Sequence, residues 1–120
     1  MTKTYVTVLG VVFVLIGILG FIDPLTPDGN LLGIFAVNTE HNLVHLLSGL
    51  VALAAVAGGA AYATLYAKVF GLVYALVTVL GFMVGDGEVL GFLPVNGADN
   101  VLHVLIAASA LYFGFVVGDV

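Results

Sequence analysis

The order of apolar and polar residues divides the chain into four long apolar runs: Tyr5 to Ile22, Leu43 to Gly59, Tyr66 to Val84 and Val101 to Gly118. Each approaches the roughly 20 residues that cross a hydrocarbon core about 30 Å thick. In lipid the backbone must satisfy itself within the segment, so continuous runs of this length predict helices. A β-barrel would show short alternating strands instead. The expected fold is all-α, a four-helix transmembrane bundle forming a single membrane domain over residues 1–120. "GGAAYA" joins the second and third helices tightly, through a short connection from Gly59 to Leu65. The other loops, "DGNLLGIFAVN" and "DGEVLGFLPVN", are too apolar to hang in water. They are expected to lie back on the mouth of the bundle as a short helical turn or a partly embedded segment, with Asp-Gly supplying the turn.

The pattern also repeats. Sliding Tyr5 onto Tyr66 superposes "YVTVLGVVFVLIGILGF" on "YAKVFGLVYALVTVLGF", with Val8, Gly10, Val12, Leu15, Leu19, Gly20 and Phe21 meeting identical residues. Sliding Asp28 onto Asp86 superposes "DGNLLGIFAVNTEHNLVH" on "DGEVLGFLPVNGADNVLH", and Gly29, Leu32, Gly33, Val37, Asn38, Asn42 and His45 meet identical residues. A few extra residues near "DPLTP" lengthen the first copy. This reads as two tandem helix–loop–helix repeats, about 3–60 and about 64–120. Both copies enter the membrane in the same direction, so they are parallel repeats about an axis along the membrane normal. The first helix repeats the third, which marks it as a structural span and not a cleaved signal.

Composition sharpens the membrane reading. The chain is 62% hydrophobic and 8% charged, where a soluble domain carries about a quarter charged residues. There is no cysteine and no arginine, and Lys3 and Lys68 are the only lysines. A disulfide framework, a thiolate metal site and a nucleic-acid footprint are thereby excluded. The lysines lie at one end of the spans, while Asp23, Asp28, Glu40, Asp86, Glu88 and Asp99 lie at the other. The positive-inside rule then places both termini in the cytoplasm of a multi-pass cell-membrane protein.

The scarce polar residues gather in "VNTEHNLVHLLSG" and "VNGADNVLHVLIA", which share the frame V-N-x-x-x-N-x-x-H. Asn38 and Asn96 stand where helices begin and read as N-caps, with Asp99 favourable in the first turn. Asn42 and Asn100 lie on the same helix face as His45 and His103. That face continues inward through Gly49 and Ala52, and through Ala107, Ala110 and Gly114, so it points to the bundle interior. Three uses compete. Asparagine and histidine can form interhelical hydrogen bonds that join the halves. Alternatively, His41, His45, Asp99 and His103, paired at i, i+4, can hold a transition metal at the outer rim, or His45 and His103 can hold a non-covalent haem. A proton or small-solute path is the third use, but no acidic residue lies in mid-span. No nucleophile–base set or phosphate loop is present, so an enzyme is not expected. The seam Ala110-x-x-x-Gly114-x-x-x-Gly118 suits a small structural or interaction subunit. Its partners would be the lipid bilayer and another membrane protein or a second copy of the chain.

The run "LLGIFAVNTEHNLVHLLSGLVALAA", with its echo "VLGFLPVNGADNVLHVLIAASAL", resembles a prokaryotic family of small four-helix membrane proteins catalogued only as a domain of unknown function. Asn38, His41, Asn42, His45, Asn96, Asp99, Asn100 and His103 match its paired motif. The resemblance implies a compact four-span protein and carries no activity with it.

Overall fold

The computed structural model describes residues 1–118. Four helices form a bundle: α1 Thr2–Leu19, α2 Thr39–Gly58, α3 Ala60–Val84 and α4 Gly97–Leu111, the last continued by a π-helical turn at Tyr112–Val117. All four are long and apolar enough to cross a membrane. The molecule is 43 Å long, enough for the hydrocarbon core and one interfacial layer. α1 packs chiefly on α2, and α3 on α4.

The bundle is built from small and polar residues inside and large aliphatic residues outside. The buried stripe of α1 runs Val6, Leu9, Gly10, Phe13 and Gly17, spaced by three or four. That of α2 runs His41, Asn42, His45, Ser48, Gly49 and Ala52. Leu15, Leu47, Leu76 and Leu105 are more than half exposed on the outer faces. Lipid tails are as apolar as leucine, so burying leucine gains nothing there. Close backbone approach over small residues drives association instead. Gly17 shows how close: a Cβ there would lie 2.8 Å from the backbone nitrogen of Leu46.

The connections differ from the sequence expectation. α2 begins at Thr39, ahead of the apolar run, because Asn38 caps it. α3 begins at Ala60, so a single glycine, Gly59 at φ 117°, makes the turn from α2. Most of "GGAAYA" is helix. The first long loop does contain short 3-10 turns, at Asp23–Leu25 and Pro27–Gly29, but both long loops also form antiparallel β-hairpins. β1 (Asn30–Leu31) pairs with β2 (Phe35–Ala36), and β3 (Gly87–Val89) pairs with β4 (Leu93–Val95). Their reversals fall at Leu32-Gly33 and Leu90-Gly91, where both residues have positive φ as a type I′ turn requires. Asp28-Gly29 does turn the chain, with φ 53° and 77°, but Asp86-Gly87 leads into β3. The hairpins fold over one end of the bundle and bury Leu31, Val89 and Val95. Each reaches the other half: β2 touches α4, and β4 touches α2.

Candidate functional site

The site lies under the hairpins, at the first turns of α2 and α4. Asn38 caps α2, accepting from the His41 backbone N–H at 2.8 Å, and Asn96 caps α4, accepting from the Asp99 N–H at 3.0 Å. Each cap also crosses to the opposite hairpin. Asn38 Nδ2 donates to the Phe92 carbonyl, and Asn96 Nδ2 to the Ile34 carbonyl, both at 2.8 Å. Ile34 and Phe92 are partners under the sequence superposition, as are Asn38 and Asn96. Matching side chains thus tie each helix start to the other hairpin's turn.

One turn further in, Asn42 and Asn100 pack within their own halves. Asn42 presses on Gly20 of the chain leaving α1, and Asn100 on Gly81 of α3. Asn100 Nδ2 also donates to the Gly81 carbonyl at 3.2 Å. Any side chain at either glycine would displace the amide. Of the two, Asn100 makes an interhelical hydrogen bond, from α4 to α3.

The histidines are placed differently. His41, His45 and His103 are all buried, and one ligand atom from each lies within 4.8 Å of the others. His41 and His45, one turn apart on α2, have ring centroids 4.4 Å apart, and His103 of α4 lies 6.0 and 6.3 Å from them. Aromatic rings close the group. Phe13 stacks on His45 at 5.8 Å, Tyr74 meets His103 edge-on at 5.6 Å, and Phe13 stacks on Tyr74 at 5.3 Å. A cavity of about 160 Å³ opens beside the three imidazoles and Tyr74.

His41 Nδ1 and both ring nitrogens of His45 and His103 have no hydrogen-bond partner among the described residues. A neutral imidazole carries one donor and one acceptor, and each buried unmet group costs about 1–3 kcal/mol. Interhelical hydrogen bonds in membrane proteins return only about 0.6 kcal/mol on average, and these rings do not make them. The amide oxygens of Asn42 and Asn100 are also buried without a partner, but the histidines differ in having both ring nitrogens of His45 and His103 unmet. The His41 ring also meets the backbone of Ala36 and Pro94, one residue from each hairpin. Such a carbonyl contact fixes which nitrogen of a ligating histidine faces inward.

Asp99 stands apart from this group. Its Oδ2 accepts from the Asn96 N–H at 3.0 Å, closing a capping box, and from the Ala36 N–H at 2.9 Å. Its Oδ1 is buried without a partner, and Asp99 and His45 share a small cavity of about 20 Å³. The structure thus brings three of the four proposed ligands together and gives the carboxylate a different employment. Tyr74 is the neighbour that spacing did not single out. Its hydroxyl, beside Ser48, is buried and makes no well-formed hydrogen bond. The signal was in the repeat: Tyr74 superposes on Phe13, where the second copy gains a hydroxyl.

A bis-histidine haem does not fit. The space between His45 and His103 is bordered by the rings of His41, Phe13 and Tyr74, and the cavity is smaller than the roughly 300–1,000 Å³ of ordinary ligand pockets. The three imidazoles lie close enough to be drawn onto a single ion. Two nitrogens on one tetrahedral zinc, each bound at about 2.0–2.1 Å, lie roughly 3.3 Å apart, so shifts of about an ångström close the set.

A family model described as a domain of unknown function (DUF4383) matches residues 3–116. No curated protein and no solved structure matches the chain. The chain belongs to the DUF4383 family.

Proposed function

We propose that this member of the DUF4383 family is an integral membrane protein that holds a transition-metal ion between α2 and α4 through His41, His45 and His103. The observation that carries this reading is the convergence of three buried imidazoles whose ligand atoms lie within 4.8 Å and whose inward nitrogens have no other partner. An all-imidazole set without thiolate suits zinc, copper, iron or nickel. Three protein ligands leave a fourth position open, as in catalytic rather than structural zinc sites. The cavity beside the rings gives that position room for a water or a small ligand. Asp99 supports the site from outside the ligand set by fixing the start of α4, and so the aim of His103. The termini are cytoplasmic, with the metal at the outer end; both lysines lying opposite the hairpins supports this.

A structural or interaction subunit has less support than the sequence alone gave it. Ala110 and Gly114 of its small-residue seam are buried within the chain, where a Cβ at Gly114 would lie 2.8 Å from the Lys68 backbone nitrogen. That seam serves α3 and is not available to a second protein.

The test is elemental analysis of untagged protein purified in mild detergent. Near one equivalent of a single transition metal is expected, lost in His45→Ala and in His103→Ala while the protein stays monodisperse. Wild-type protein that takes up no metal even after incubation with zinc, copper and iron salts would end the reading.

A further inference from the structure

The cavity beside the histidines does not open toward the hairpin end. Leu93 and Val95 of the second hairpin line it on that side, with Val95 buried. Its exposed rim is Val44 of α2 and Val73 of α3, two apolar residues on the outer face of membrane-length helices. The α2–α3 seam is looser than the α1–α2 and α3–α4 packings. Along that seam runs an open groove of about 470 Å³, from mid-bundle to the Gly59 turn, lined by Val51, Ala54, Tyr62 and Val69. Phe70 lines both spaces, so the groove and the histidine cavity adjoin at that ring.

We infer that the site is entered sideways from the bilayer and binds an uncharged lipid of the prenylated quinone class, its ring beside the histidines and its tail along the α2–α3 groove. This rests on the metal reading in one respect, that a quinone oxygen takes the open fourth position. Size, charge and shape select the class. Neither Lys3 nor Lys68 lines either space, and Lys68 sits over the Phe115 ring at 5.4 Å, so a phosphate or carboxylate head would meet no lysine. A cavity of about 160 Å³ takes one small ring and excludes a fused sterol body. Phe70 and Tyr74 offer aromatic faces to a planar ring. Tyr74 supplies a hydroxyl without a well-formed bond, and His45 and His103 supply nitrogens without partners; all three are more than nine-tenths buried and border the cavity. Groove and cavity together fall within the usual range for small-molecule sites, about 300–1,000 Å³. The inference concerns binding and invokes no electron transfer.

The experiment uses full-length protein in mild detergent and a photoreactive benzoquinone bearing a decyl tail, with labelled peptides located by mass spectrometry. Labelling is expected to saturate, to fall on the α2 and α3 peptides that line the histidine cavity, and to be competed by the unlabelled quinone. Ala54→Phe narrows the groove away from the histidines. It should reduce labelling about tenfold or more and leave metal content unchanged. Leu47→Phe, on the outer face of the same helix, should change neither. Labelling that never saturates, or that Ala54→Phe leaves intact, would overturn the inference as simple partition into the detergent layer. Metal content on the same samples separates the two readings. Metal with no saturable labelling sinks the quinone alone. Saturable labelling without metal keeps the quinone, held by imidazole and phenol donors, and sinks the metal.

Discussion

The two halves of the molecule are alike where they hold each other and unlike where they meet at the centre. Asn38 and Asn96 make the same cap and the same cross-hairpin bond, and Asn42 and Asn100 press on matching glycines. Among the superposed pairs that break the likeness are His41 with Asp99, Phe13 with Tyr74 and Ala36 with Pro94. The breaks are chemically linked. Ala36 offers an N–H, and the Asp99 carboxylate takes it at 2.9 Å. Pro94 has no N–H to offer, and the residue beside it is His41, which can donate to a carbonyl. One half thus keeps a carboxylate for capping, and the other supplies a third imidazole. The matched residues join the halves, and the unmatched ones bring together the imidazoles of the proposed site.

The sharpest way to break the comparison is to remove the space that the matched asparagines use. Gly20→Val and Gly81→Val should each destabilise by about 3 kcal/mol or more, since neither amide can be accommodated without backbone movement. Loss of the monodisperse peak and of cooperative melting by circular dichroism would register it. Equal tolerance of both substitutions would show that the asparagine contacts are incidental.

Exchanging the unlike pair is next. His41→Asp puts a carboxylate next to Pro94, where no N–H awaits it, and leaves two imidazoles. Metal affinity should fall by about a hundredfold or more while Asp99→Asn, which keeps much of the cap, costs about ten- to a hundredfold through the aim of His103. Competition with a chromogenic chelator would rank the two. The reverse order would mean that Asp99 is itself a ligand.

Smaller effects are expected at the caps. Asn38→Ala and Asn96→Ala each lose a cap and a cross-hairpin bond, and should cost about 1–2 kcal/mol. Asn96→Ala should cost slightly more, because its capping box with Asp99 is dismantled too. Denaturant midpoints in mixed micelles would compare them, and a cost confined to one half would contradict the shared role. The smallest expected effect has the opposite sign. Leu32 and Leu90, both at φ 56° and both exposed, occupy turn positions that glycine fills without strain. Leu32→Gly and Leu90→Gly should each stabilise by about 0.5–1 kcal/mol, and a lower melting temperature in either would show the leucine packs against something it needs.

The spans were legible because apolar runs of bilayer length leave the backbone one option. Helix ends were not, since Thr39, Glu40 and His41 interrupt the apolar run while Asn38 already starts the helix. The hairpins were hidden for a different reason. Strands of two or three residues carry no period to read, and their turns use Leu-Gly where Asn-Gly or Asp-Gly is the usual mark. At the site, the spacing pairs His41 with His45 on α2 and matches His45 to His103 on α4, but it could not say which side chains would find partners. Asp99 read as a ligand because it follows the same spacing. Only the position of Ala36, brought in by the opposite hairpin, reveals that its Oδ2 is engaged.

That three imidazoles share one ion is tested by X-ray absorption at the edge of the retained metal. One first shell of nitrogen and oxygen at about 2.0–2.1 Å is expected, with outer-shell imidazole scattering from three histidines that falls by a third in His41→Ala. A first shell of oxygen alone, or a wild-type spectrum unchanged in His41→Ala, would contradict it.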